Sequence, residues 1–222
     1  MMFDVLSGNS AALGRSTMRQ LRGYRHKMLY REPDRPLPAL DEPGHDEFDH
    51  DETLYVVAID QRGDVTGCGR LLPTSRPYLL GTHFAHLMSP ALPPADNDVW
   101  ELSCFAIGLP RGESMGEEDV RRPALLLVDE IVRVARTQGA DRLITFSSLG
   151  VVRLLQRTGI DIHRAAPPQW MNDTPTLPCW IDIDRHAGAA HARDPGPRRT
   201  GTLRRADLPS ANRPACRLSG VM

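Results

Sequence analysis

The chain has 222 residues, with 27 Lys and Arg against 28 Asp and Glu and a formal net charge of −1. That length suits one domain with a sizeable core and a tail. No apolar run reaches membrane-spanning length, and no basic start leads into a long apolar run, so neither a transmembrane segment nor a signal peptide is expected, and a soluble, cytoplasmic protein is.

The near-zero charge hides an uneven spread. From Arg185 onward there are eight Arg and two Asp, which leaves 19 basic and 26 acidic residues for the body. Nucleic-acid binding would rest on that tail alone, because the body lacks a basic face with interleaved aromatics, and it is not expected. The four cysteines, Cys68, Cys104, Cys179 and Cys216, form no Cys-x-x-Cys pair. They read as reduced thiols, neither a disulfide frame nor a zinc site.

Taken in order, residues 11–31 predict a helix with Ser10 as N-cap and Leu13, Met18, Leu21, Met28 and Leu29 as its apolar face. Pro33, Pro36, Pro38 and Pro43 make 32–45 a loop. It leads into His45-Asp46-Glu47-Phe48-Asp49-His50-Asp51-Glu52, the densest acidic patch of the body. Three readings stand for this patch: a solvated turn, a metal site, or a carboxylate wall for a cationic small molecule. No His-rich partner stretch completes a ligand set, so no metal is expected.

Thr53–Ile59 and Val65–Leu72 read as strands joined by a turn at 60–64, where Gly63 can take positive φ. In the second strand Thr66, Cys68, Arg70 and Leu72 share a face, and Gly67 and Gly69 open the other to close approach. Arg70, inside a strand, calls for a carboxylate partner. Pro77–Met88 holds a short helix. Val99–Ile107 reads as a central buried strand that carries Glu101, and strict alternation puts Glu101, Ser103 and Phe105 on one face. A carboxylate there is either half of a structural ion pair or a tuned acid-base group. A β-bulge would bring Cys104 round to the same cleft.

Gly108–Glu118 is a polar loop. Arg122–Gln138 predicts a helix with Pro123 in its first turn and Leu126, Leu127, Ile131 and Val134 facing the core. Arg142–Ser147 is a strand, Ser148–Thr158 a helix and Leu177–Asp184 a last strand. The order argues an α/β fold, a mixed sheet flanked by helices, over residues 1–186. Residues 187–222 read as a basic, disordered tail rich in Pro and Arg.

At this point the residues match a family. Tyr-Arg25 ending the first helix, Asp46-x-Phe-Asp49, Thr-Leu-Tyr-Val-Val, Gly-Cys-Gly-Arg70-Leu-Leu-Pro-Thr-Ser-Arg-Pro-Tyr-Leu-Leu and Trp-Glu101-Leu-Ser-x-Phe-Ala occur in order. Over about 15–185 the chain resembles the acyl-homoserine-lactone synthases of bacterial quorum sensing. The resemblance implies an α/β/α sandwich of the acetyltransferase-like type. It implies S-adenosylmethionine as a substrate, no cofactor, and an acyl donor on acyl carrier protein or coenzyme A. It also implies Glu101 as general base. Arg25, Asp46, Asp49, Arg70, Ser103 and Phe105 are then the S-adenosylmethionine-binding and ion-pair set. Phe146 and Ser147 would line the acyl pocket, and a basic patch of Arg153 and Arg157 with Arg133 and Arg136 would dock the carrier.

Three positions depart from the family pattern. Cys104 stands where the family has Arg, Leu29 near a family Phe, and Arg35 near a family Trp. Two further readings follow: a catalytically weakened or silent homologue, and an acyl-CoA-dependent N-acyltransferase acting on another amine.

Overall fold

The structure, a computed structural model, describes residues 3–29, 43–108, 117–157, 159–171 and 173–186. Arg35, most of the Pro-rich loop and the expected tail at 187–222 lie outside the described residues.

Among the described residues, one mixed sheet holds eight strands. They are β1 (Phe3–Gly8), β2 (Leu54–Asp60), β3 (Val65–Pro73), β4 (Val99–Ile107), β5 (Arg142–Ser148), β6 (His163–Arg164), β7 (Gln169–Met171) and β8 (Thr174–Asp182). Their spatial order is β1-β2-β3-β4-β5-β8-β6, with β7 paired to β8. All pairings are antiparallel except β4 with β5. The helices are α1 (Ser10–Leu29), α2 (Leu79–His83), α3 (Glu117–Thr137) and α4 (Leu149–Arg157), and Ala85–Met88 forms a 3-10 turn.

The period-2 alternation of β2 sorts the two faces. Val56 and Ala58 join the large core under α3 and α4, with Leu127, Ile131 and Val134. Tyr55 and Val57 join the core under α1, with Met18, Leu21 and Leu29. A third cluster covers the α1 side of the sheet further along, where α2 and the 3-10 turn close over Leu72 and Ile144. The result is helices on both faces of a sheet, as expected. Gly67 and Gly69 permit the close approach that their sequence spacing suggests. A Cβ on Gly69 would stand 2.7 Å from Ile131 Cδ1, so the Ile131 side chain on α3 would have to shift to admit one.

Several expectations change. The N-terminal strand β1 was not anticipated; its short, mixed run pairs with β2 over its whole length. Asn9, not Ser10, caps α1, its Oδ1 accepting the Ala12 N–H at 3.0 Å. Gly14 interrupts the same helix at φ 77. Helix α3 starts at Glu117, so Pro123 lies inside it, and Leu126 is 42 % exposed instead of core-facing. The last strand begins at Thr174 and ends at Asp182. No helix among the described residues is long and apolar enough to cross a membrane.

Candidate active site

Four charged side chains from three separate segments meet under α1. Arg25 comes from α1, Arg70 from β3, and Asp46 and Asp49 from the acidic turn, all buried. Arg25 Nη1 donates to both oxygens of Asp49, at 2.7 and 2.9 Å, and Nη2 reaches Asp46 at 3.4 Å. Arg70 Nη1 donates to Asp46 at 2.5 Å and to Asp49 at 3.1 Å, and its Nε donates to Ser103 Oγ at 3.1 Å.

Such a cluster is tolerable in a core only with its remaining hydrogen bonds met. Here the backbone supplies several. The Asp46 N–H donates to Asp49 Oδ2 and the Phe48 N–H to Asp46 Oδ1, which ties the turn to its own carboxylates. The Tyr55 hydroxyl adds a 2.8 Å bond to Asp49 Oδ1. Burial alone would raise the Asp49 pKa, but the Arg25 and Arg70 guanidinium groups outweigh it and hold this carboxyl well below the usual range. Of the three readings of the acidic stretch, the solvated turn fails for Asp46 and Asp49. Among the described residues no group of three or more His, Cys, Asp or Glu is placed to hold a metal ion.

Glu101 is fully buried on β4. Two backbone groups donate to it, Leu80 N to Oε1 at 2.7 Å and Leu79 N to Oε2 at 3.1 Å, and the Ser103 side chain adds a further hydrogen bond. Burial pushes its pKa up, against the pull of Arg70 and of those two N–H groups. Two guanidinium groups thus serve three carboxylates. Arg25 Nε and Arg70 Nη2 are buried N–H groups without a hydrogen-bond partner among the described residues.

The centre of β4 breaks strict alternation. Cys68 pairs with Ala106 and Arg70 with Ser103, so Cys104 and Phe105 together face the single residue Gly69. Cys104 takes φ 52, a left-handed value uncommon for a residue with a side chain. This bulge is the one considered from the sequence, and it moves two side chains. Cys104 joins the α1 face beside Cys68, while Phe105 turns to the α3 face, off the side it was expected to share with Glu101. Burial raises the Cys104 thiol pKa despite Arg25 and Arg70 nearby, so it stays a neutral group among the charges.

Beyond Glu101 the sheet opens. β4 and β5 pair over Val99–Glu101 and Arg142–Ile144 and then part, leaving facing edges that no longer bond to each other. A cavity of about 420 Å³ fills the gap. Ser103, Cys104 and Phe105 line one side, and Phe146 and Ser147 the other. Leu29 also lines it, so Leu29 and Cys104 share one cavity. Ser103 and Leu79 connect this cavity to the charged cluster, one through Arg70 and the other through Glu101.

Sequence reasoning missed three partners. Tyr55 lay within a quoted motif, and its register opposite Arg70 in the β2–β3 hairpin is the signal that could have found it. The Leu79 and Leu80 N–H groups carry no residue-type signal. The expected carrier patch is divided: Arg133 is paired with Glu130 and Arg136 with Asp184, while Arg153 and Arg157 stand exposed on α4.

Known proteins resemble this chain in sequence and in fold. A sequence model described as autoinducer synthase matches residues 40–190. The acyl-homoserine-lactone synthase of Ralstonia solanacearum is 42% identical over 171 residues, 75% of this chain and 82% of that protein. The crystal structure of TofI in a ternary complex with an inhibitor and MTA is 33% identical, with TM-score 0.68, over 88% of this chain and 98% of that one. An acyl-CoA N-acyltransferase from Pseudomonas aeruginosa shares the fold, with TM-score 0.53 at 15% identity over 81% of this chain and 99% of that one. The chain belongs to the autoinducer synthase family.

Proposed function

We propose that this chain joins S-adenosylmethionine to an acyl chain delivered as a thioester and closes the product to an acyl-homoserine lactone. The observation that carries the reading is the joining of two unlike sites. A buried cluster of Arg25, Asp46, Arg70 and Asp49 lies against a cavity that opens where β4 and β5 part.

The substrate amine must lose a proton before it attacks a thioester carbonyl. Glu101, acting directly or through a water, is the base, and its raised pKa suits that task. The attack forms an N–C bond and a tetrahedral oxyanion, which unpaired backbone N–H groups on the parted strands would hold. Collapse expels the carrier thiolate and leaves an amide. The substrate carboxylate then displaces methylthioadenosine from the neighbouring carbon, which closes the lactone and needs held geometry but no protein nucleophile. The acidic groups favour a cationic substrate, and the unpartnered Arg25 and Arg70 N–H groups suit its carboxylate. For the donor we favour acyl carrier protein, with Arg153 and Arg157 as its contact, over acyl-CoA.

The test is to supply purified protein with S-adenosylmethionine and acyl thioesters of both kinds. Methylthioadenosine release and a lactone seen by mass spectrometry are expected. Cys104 favours one second reading, a homologue weakened toward S-adenosylmethionine, since a neutral thiol stands where the family places a cation. In that case the same assay gives slow turnover with a high apparent KM.

A further inference from the structure

We infer that the acyl donor this enzyme takes carries a long chain of about ten carbons or more, a claim that rests on the reading above. The cavity does not stay on the charged face of the sheet. It passes through the gap between β4 and β5 and continues beneath α3 and α4.

The lining changes along that path. On the strands at the gap it includes the hydroxyls of Thr145 and Ser147, beside the position where a thioester head would react. Beyond them Val128 of α3, Val151 and Leu155 of α4, and Ile160, Ile162 and Ile181 make an aliphatic wall. The hydroxyls of Ser148, Thr174 and Thr176 also line the cavity, and the aliphatic wall is the part that fits a hydrocarbon tail and disfavours a charged acyl group.

The volume sets the length. A cavity of roughly 150 Å³ lined by aliphatic and aromatic side chains holds benzene, about 25 Å³ for each of its six carbons. At that density 420 Å³ holds about seventeen carbon-sized groups. Reserving about six of those for the reacting amine carbon and thioester head leaves room for a tail of about ten or eleven. The far wall is thin, because Val151 lines the cavity and is also 38 % exposed. A somewhat longer tail can therefore displace that side chain toward solvent, which predicts a plateau above the fitted length and no sharp fall.

The experiment is a chain-length series of straight saturated acyl thioesters from butanoyl to hexadecanoyl, followed by methylthioadenosine release with the full-length protein. Each added methylene is expected to raise kcat/KM by about fourfold until the cavity is filled near ten carbons. Leu155→Phe and, separately, Val151→Trp should each lower the dodecanoyl-to-butanoyl ratio of kcat/KM at least tenfold. The Val151 change tolerates bulk at a half-exposed site, and the wild-type series tests the inference even if a variant fails to fold. A wild-type optimum at butanoyl or hexanoyl would overturn the inference and leave the activity standing, as would an unchanged ratio in both folded variants. No release with any chain length would instead overturn the parent reading, and the inference with it.

Discussion

The Leu80 N–H donates to Glu101 Oε1 at 2.7 Å, so the start of α2 and the candidate base form one hydrogen-bonded unit. The carboxylate is held in place by backbone, while burial raises its pKa. A base works only when ionised, so raising its pKa moves the acid limb of the rate profile upward. We expect kcat/KM to fall on the acid side at a pH above the ordinary Glu range near 4.3. Glu101→Gln should remove that limb and lower turnover roughly 10²–10⁴-fold. Near-wild-type methylthioadenosine release by a folded Gln variant would sink the role.

Asp49 titrates the other way. Its folded pKa is depressed below its unfolded value, so its contribution to stability is present above about pH 3.9 and is lost as pH falls through the depressed folded pKa. Asp49→Asn strands part of two buried guanidinium groups, and should cost about 3–5 kcal/mol in urea unfolding at pH 7. The gap between wild type and variant should narrow in strong acid. A constant gap from pH 7 to pH 2 would show that charge pairing is not what Asp49 contributes.

Much of this was legible in residue types. Alternation along β2 and β3 placed Arg70 on a buried face in need of a carboxylate, and the acidic turn was the nearest supplier. The parts that escaped are backbone events. A bulge at a cysteine has no compositional mark, since left-handed φ is ordinarily read from Gly or Asn. Strict alternation therefore placed Phe105 with Glu101, and one inserted residue sent it to the other face. The donors to Glu101 were hidden for the same reason, because any residue but proline has an N–H. The start of α3 was set too late because Pro123 was read as a first-turn residue.

His186 closes the described part of the chain, buried, with Nε2 2.8 Å from Asp129 Oδ1. This contact ties the end of the body to α3. A chain ending after His186 should keep its thermal midpoint and its methylthioadenosine release. One ending after Asp182, which loses His186 and Ile183 from the core, should melt several degrees lower. Aggregation of the chain ending after His186 would show that 187–222 packs on the body.

Arg153 and Arg157 are one turn apart on α4 and exposed, unlike the paired Arg133 and Arg136. If they steer an acidic carrier, Arg153→Glu with Arg157→Glu should raise the apparent KM for acyl carrier protein at low salt and flatten its salt dependence. The KM for acyl-CoA serves as the internal comparison. Equal changes for both donors would count against a carrier-specific contact.

Cys104 offers the most informative substitution, because the bulge leaves its side chain beside Cys68 on the charged face and also in the cavity wall. The left-handed backbone strain is the same for Cys and Arg, so Cys104→Arg changes charge and volume at little backbone cost. A guanidinium there gives three cations to three carboxylates. It should draw the Glu101 pKa down, shift the acid limb of kcat/KM to lower pH, and lower the KM for S-adenosylmethionine. That pattern would mark the thiol as a weakening of an otherwise complete site. The opposite result has its own structural motive, since Leu29 lines the same cavity. If Cys104→Arg loses activity, the two smaller side chains act together as one reshaped wall. Leu29→Phe with Cys104→Arg should then recover turnover that neither single variant has, a non-additivity expected of residues sharing one cavity. Independent, additive losses would remove the reshaped-wall account.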